Sequence, residues 1–194
     1  MTQVFRLVLA AAVWAVATQL TGCAQMTMGP PKPTIENTVK LRGKELAPAA
    51  VGTFAADPSR PDIDKGHSIR GNGLGSPSNG SFAHYLGDTL KVELQSAGLY
   101  DPDAKTVISG TLTQSDVDAS IGAGKASLAA RIVVSRAGTV KYDREVSVSS
   151  AWDSPFVGVV AIPQAAGQYE GLYRKLAGEL FDDASFQKAL AKDR

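Results

Sequence analysis

The chain has a single cysteine, Cys23, in 194 residues, so no disulfide can form within it and its stability must come from packing. Histidine is nearly as scarce: His67 and His84 are the two it has. No H-E-x-x-H, paired-cysteine or calcium-loop spacing occurs, which removes the usual metal patterns. Neither histidine stands in a frame that would pair it with a nucleophile. No metal, cofactor or catalytic residue is therefore expected, and the chain reads as a non-enzyme. An excess of one charge is also missing, since 20 Lys and Arg face 19 Asp and Glu for a formal charge of +1. The two signs alternate along the chain, leaving no basic stripe to neutralise phosphates, so nucleic acid is not an expected partner. Long hydrophobic runs are lacking too. The apolar stretch Leu7–Ala17 falls well short of the roughly 20 residues needed to span a bilayer.

That short stretch follows Arg6 and leads into Leu20-Thr21-Gly22-Cys23. A charged start, a brief apolar run and small residues before a cut site compose a secretory signal. The segment closely resembles the signal of bacterial lipoproteins, whose cleavage box reads Leu-small-small-Cys. The resemblance implies that residues 1–22 are a signal peptide removed at the box Leu20, Thr21, Gly22. It implies further that Cys23 becomes the new N-terminus, with a diacylglyceryl group on sulfur and a further acyl chain. The membrane is then a partner through the lipid on Cys23. Each buried methylene adds about 0.8 kcal/mol, and stable attachment takes more than one chain, as triple acylation supplies. Ala24, where an aspartate would retain the protein at the inner membrane, implies the inner leaflet of the outer membrane, facing the periplasm. An ordinary signal peptide with an incidental cysteine is the plainer alternative. Loss of residues 1–22 removes one charge, Arg6, so the formal net charge falls from +1 to 0.

Residues 23–36 include Gly29, Pro30, Pro31 and Pro33, the composition of an extended, semi-rigid tether. Residues 37–194 are expected to form one periplasmic domain, of a size that buries about two thirds of its unfolded surface. Short strands are predicted over Thr38–Leu46, from Val39 and Leu41, and over Ala50–Ala55. The Gly- and Pro-rich stretch from Asp57 to Gly80 reads as turns, with His67–Arg70 available as a strand. Ser81 caps a helix whose Phe82, Leu86, Leu90, Leu94 and Ala97 share one stripe, and Gly98 stops it. Thr106–Val117, Ala126–Ser135 and Val140–Val148 alternate as strands, joined by Ile121–Gly124 and by a tight Ala137-Gly138 hairpin. A last long helix runs from Pro163 to Phe181, followed by a short turn from Ser185. The fold class is α+β: an antiparallel sheet of about four strands, a three-strand meander plus an earlier strand, packed by two helices.

This order of elements behind a lipobox resembles the small periplasmic lipoproteins with an anticodon-binding-like α/β sandwich. They include the curli secretion lipoprotein, lipoprotein activators of peptidoglycan synthases and auxiliary lipoproteins of lipid transport systems. More narrowly, Ser68–Asn72, Leu94–Pro102, Ile108–Gly110 and Leu180–Phe186 resemble an uncharacterised proteobacterial lipoprotein family. The resemblance transfers no catalytic residue, and fold does not fix function. Two segments draw attention. Arg70, Gly71 and Asn72 open a glycine-rich run, read either as a structural loop or as backbone amides converging on an anion. Trp152, Phe156, Val157, Val159, Val160 and Ile162 form an apolar stretch where a connection is usually polar. It either closes one end of the core, meets a partner or a second copy in a homo-oligomer, or touches lipid. The expected role is a non-enzymatic interaction or accessory module with an envelope protein partner. The alternative is a lipid-binding accessory component of an envelope transport system, with an acyl groove between helix and sheet.

Overall fold

The computed structural model describes residues 25–192; the signal box and Cys23 lie outside them. A mixed four-stranded sheet carries the domain, in the order β2 (Ala50–Ala56), β5 (Thr106–Asp118), β6 (Gly124–Arg136) and β7 (Thr139–Trp152). β5, β6 and β7 form the expected antiparallel meander. Ala137 and Gly138, at φ 48° and 81°, make the tight turn of its second hairpin, the mirror-type turn that suits strand twist. The earlier strand β2 joins β5 in parallel instead, because the chain crosses through helix α2 (Phe82–Ala97) before returning, as parallel pairing requires.

α2 forms as its residues dictate. Ser81 Oγ accepts from the His84 amide, and Gly98 at φ 74° closes the last turn. Asp64 completes the start, its carboxylate accepting from the Ala83 amide at 2.6 Å and from the Ser81 hydroxyl at 2.8 Å, a favourable place for negative charge. The last long helix, α3 (Gly158–Asp182), begins five residues before the expected start and so holds Pro163 inside its second turn. Asp183 caps the short α4 (Ala184–Leu190), accepting from Ser185 N at 2.7 Å. Asp182 and Asp183 are thus engaged, Asp182 with Lys40 at 2.7 Å.

Two expectations give way. Thr38–Leu46 is not a strand: Thr34 caps helix α1 (Ile35–Leu41), whose buried face is Asn37, Thr38 and Leu41. Its polar side chains are tied to α2, where the fully buried Glu93 carboxylate accepts from Asn37 Nδ2 at 2.8 Å and from the Thr34 amide at 3.1 Å. Nor does residues 25–34 hang free as a spacer. Gln25–Thr27 is strand β1, parallel to β4 (Asn72–Gly75) in a second sheet of order β1-β4-β3, with β3 at His67–Ile69. Met28 is buried, and the Gly29 amide donates to Glu170 at 3.0 Å. The prolines make this segment extended, and its apolar Met26 and Met28 fasten it to the body.

The core lies between the four-stranded sheet and α2 and α3. Phe82, Tyr85, Tyr169, Tyr173, Leu86 and Leu176 are all buried there, with Tyr85 edge-on to Tyr173 at 4.8 Å. These rings pack the space between the helices and the sheet.

Candidate functional site

The segments singled out in the sequence meet at one end of the molecule, where β6 begins and β7 ends. β3 and β4 are joined by Arg70-Gly71, at φ 50° and 81°, with Ile69 opposite Asn72. That geometry makes the pair a two-residue hairpin turn, which favours glycine at its second position. Asn72 Nδ2 donates to the Arg70 carbonyl at 3.2 Å. Gly71 and Asn72 therefore serve the turn.

Arg70 does more. Its guanidinium donates to Ala119 O at 2.6 Å, Pro155 O at 2.7 Å, Phe156 O at 3.0 Å and Ser154 Oγ at 3.0 Å. The five-donor fork of arginine suits such a task, fixing two loops from one side chain. The loops also bond each other, Gly122 N donating to Ser154 O at 2.9 Å. With these donors turned onto three backbone carbonyls and the Ser154 hydroxyl, Arg70 clamps the two loops to the β3–β4 turn.

Around the clamp the two readings of the apolar stretch divide residue by residue. Trp152 packs against the core, its ring lying over Gly124 where any Cβ would overlap it. Ala161 is buried and Ile162 packs partly on the core. The residues between them face outward: Phe156 is 77% exposed and Val159 80%, with Val157, Val160 and, from the neighbouring loop, Ile121 also exposed. Core closure thus holds for Trp152 and Ile162 and fails for Phe156–Val160. α3 starts here with Val157 as its cap residue and no side-chain cap, where Ser, Thr, Asp or Asn is usual.

A polar chain that spacing could not reveal runs through the core nearby. His67 Nε2 lies 2.8 Å from Ser115 Oγ and 3.1 Å from Tyr169 Oη, Ser115 Oγ 2.5 Å from Tyr169 Oη, and Tyr169 Oη 2.8 Å from Tyr173 Oη. The imidazole stacks on Phe82 at 4.9 Å. Burial holds its pKa below the usual histidine value, with Asp116 acting weakly in the other direction. Burial also raises both tyrosines, so the chain is neutral and its hydroxyls serve as mutual partners. Ser115 is buried, and these bonds tie β3 and β5 to α3. His84 is exposed on α2.

The far end of the sheet, at the β6–β7 hairpin, has a different character. A cleft of about 540 Å³ there is lined by Arg136, Lys141, Tyr142, Asp143, Arg144, Ser185 and Lys188. Tyr142 Oη donates to Asp183 at 3.0 Å, and Arg144 lies 3.6 Å from the same carboxylate. Burial, then the Asp183 bond, pushes the Tyr142 hydroxyl well above the usual phenol value. Thirteen-residue β6 connects the two ends, so they lie about 40 Å apart at the rise of a strand.

Among the described residues no group of three or more His, Cys, Asp or Glu is placed to hold a metal ion. No helix there is long and apolar enough to cross a membrane.

No protein-family model matches the chain, and no curated protein matches its sequence. Solved structures do. A Xanthomonas campestris protein of the DUF330 family superposes with a TM-score of 0.51 at 15% identity, over 85% of this chain and 93% of that one. A minor lipoprotein from Acinetobacter baumannii gives 0.45 at 12% identity, over 78% and 98%. A candidate lipoprotein from Caulobacter crescentus CB15 gives 0.44 at 12%, over 81% and 97%. The first of these likenesses is one of fold, over nearly the whole domain.

Proposed function

We propose that this chain is a bacterial envelope lipoprotein that acts as a non-enzymatic, membrane-anchored binding module. Acylated at Cys23 and seated on the inner leaflet of the outer membrane, it holds an envelope protein at the cleft at the far end of its sheet. The observation that carries the reading is the junction of box and fold: Leu20-Thr21-Gly22-Cys23 is followed two residues later by Gln25, already paired with Gly73. Attachment at Cys23 would hold the body directly against the membrane and turn the β6–β7 hairpin toward the periplasm. The Lys141, Arg144 and Lys188 side of that cleft suits an acidic segment of a partner. Confinement to a surface raises the effective concentration of such a partner with no added contact.

The test has two arms. Intact mass of the protein from its host should show an acylated Cys23, and Cys23→Ser should move it from the membrane to the soluble fraction. A photocrosslinker at position 188 should capture an envelope protein, and Lys141→Glu should abolish that adduct while leaving the protein in the membrane fraction. An unmodified thiol at Cys23 would refute the anchor, and capture indifferent to charge reversal would refute the cleft.

A further inference from the structure

Five large apolar side chains stand exposed together at the end of the molecule where the lipid would be attached. The direction of β1 places them there. β1 runs parallel to β4 with Gln25 opposite Gly73, so the chain preceding Gln25 heads toward the side from which β4 starts, the Arg70-Gly71 turn. Cys23 lies two residues upstream of Gln25, and two residues reach no further than about 7 Å. From that same turn the Arg70 side chain holds Pro155 O and Phe156 O at 2.7 and 3.0 Å, and Ala119 O at 2.6 Å. The loops carrying Phe156 and Ile121 are therefore pinned beside the attachment point.

We propose that Ile121, Phe156, Val157, Val159 and Val160 form a membrane-contact surface that enters the interfacial layer of the bilayer holding the Cys23 lipid. The proposal rests on the anchor reading above and assigns a second, non-covalent contact to the same membrane. Apolar side chains at the start of a helix normally mark a poor choice of cap; at the acyl boundary, about 5–10 Å deep, they are the residues that bind. The occupant is lipid and not a protein because the covalent lipid brings a bilayer to this spot whenever the protein is anchored, and nothing longer than Cys23-Ala24 separates them. Part of the polar framework beneath the patch is satisfied internally, Ser154 Oγ and the Pro155 and Phe156 carbonyls by Arg70, which lowers the hydration to be stripped on burying it. The rigid clamp means that the surface is formed before it meets the membrane, and acylation and patch together set how the body stands.

Acylation blocks the natural cysteine, so an introduced one is a unique thiol in the mature protein. Val159→Cys, Phe156→Cys and, as a control at the opposite end, Val140→Cys would each be carried by the full host-expressed chain, with acylation verified by intact mass. Each would be labelled with a polarity-sensitive fluorophore in phosphatidylethanolamine and phosphatidylglycerol vesicles, with and without brominated acyl chains. All three positions are exposed, so thermal unfolding should match the parent; Ile121→Cys substitutes for any that does not. The expected result is blue-shifted emission at 156 and 159, quenched several-fold more by brominated chains than the label at 140. Equal quenching at the two ends in acylated protein overturns the patch and leaves the anchor standing. A free thiol at Cys23 overturns both. A photoreactive group on the 159 thiol should attach to lipid; attachment to another protein or to a second copy of the chain would give the surface a different owner and overturn the proposal.

Discussion

Single side chains settle most of what is specific about this molecule, and Arg70 is the clearest of them. It sits at positive φ in a turn, and its four bonds bind three segments of chain. Lysine keeps the charge but has no fork, so Arg70→Lys leaves buried carbonyls unmet and should lower stability by about 1.5–3 kcal/mol. Urea unfolding measures that loss. Hydrogen exchange should localise it, with protection falling in 119–124 and 153–158 and not in α2; unchanged exchange there would deny the clamp. His67 makes the second residue-scale case. Burial holds its folded-state pKa below the 6.5 of a free imidazole, so between those two values the unfolded chain binds a proton that the folded chain does not. Its contribution is complete above about pH 6.5 and is lost as pH falls through the lower, folded value. The urea midpoint should therefore drop on acidification from about pH 7 to pH 5, and His67→Gln should flatten that part of the profile. An unaltered slope in the variant would assign the acid sensitivity to other groups. The sequence located both residues but not their work: His67 and Ser115 are 48 positions apart, and Arg70 and Phe156 86 apart, distances over which spacing carries no information.

Elements were readable where local chemistry and packing agree. α2 has a cap, an apolar stripe and a glycine stop, and β6 alternates cleanly, so both stand where periodicity put them. α1 is illegible because it is too short to show a helical period, and two of its three buried side chains are polar, Asn37 satisfied by Glu93 and Thr38 paired with Ser96, both of α2. Val39 and Leu41 then mimic the alternation of a strand. The parallel seating of β2 was equally hidden, since strand pairing is a property of the whole chain path. What fixes it is a close three-element contact around Phe54. Gly87 of α2 would bring a Cβ to 3.0 Å from that ring, and Gly110 of β5 would place one inside it. Gly110→Ala should thus cost about 1–3 kcal/mol by overpacking. In a Phe54→Ala background, itself about 3–5 kcal/mol less stable, the added methyl has room and the further cost should vanish. Urea titration of the four proteins closes the cycle, and additive losses would mean that the ring is not what Gly110 accommodates.

At the scale of the molecule the domain has two unlike ends, an apolar one beside the Arg70-Gly71 turn and a charged cleft about 40 Å away along β6. The proline-rich segment that composition marks as a spacer instead lies along the body, through β1 and Met28, and this changes the mechanics. A free tether would let the domain tumble, with its cleft at any height above the membrane. A chain fixed from Gln25 onward leaves one residue, Ala24, between Cys23 and β1, so with acylation at Cys23 the cleft should be held at a defined height. Energy transfer from a fluorophore at Val140→Cys to acceptors in the vesicle surface should be weak, and from one at Val159→Cys strong. Inserting 12 Gly and Ser residues between Ala24 and Gln25 restores the missing spacer, with a root-mean-square reach of about 17–21 Å. The protein should stay membrane-bound, while the transfer efficiencies of the two labels converge. Equal efficiencies before the insertion would show that the body already tumbles on its lipid, and the orientation set by β1 and the Arg70 clamp would then have no part in how the cleft is presented.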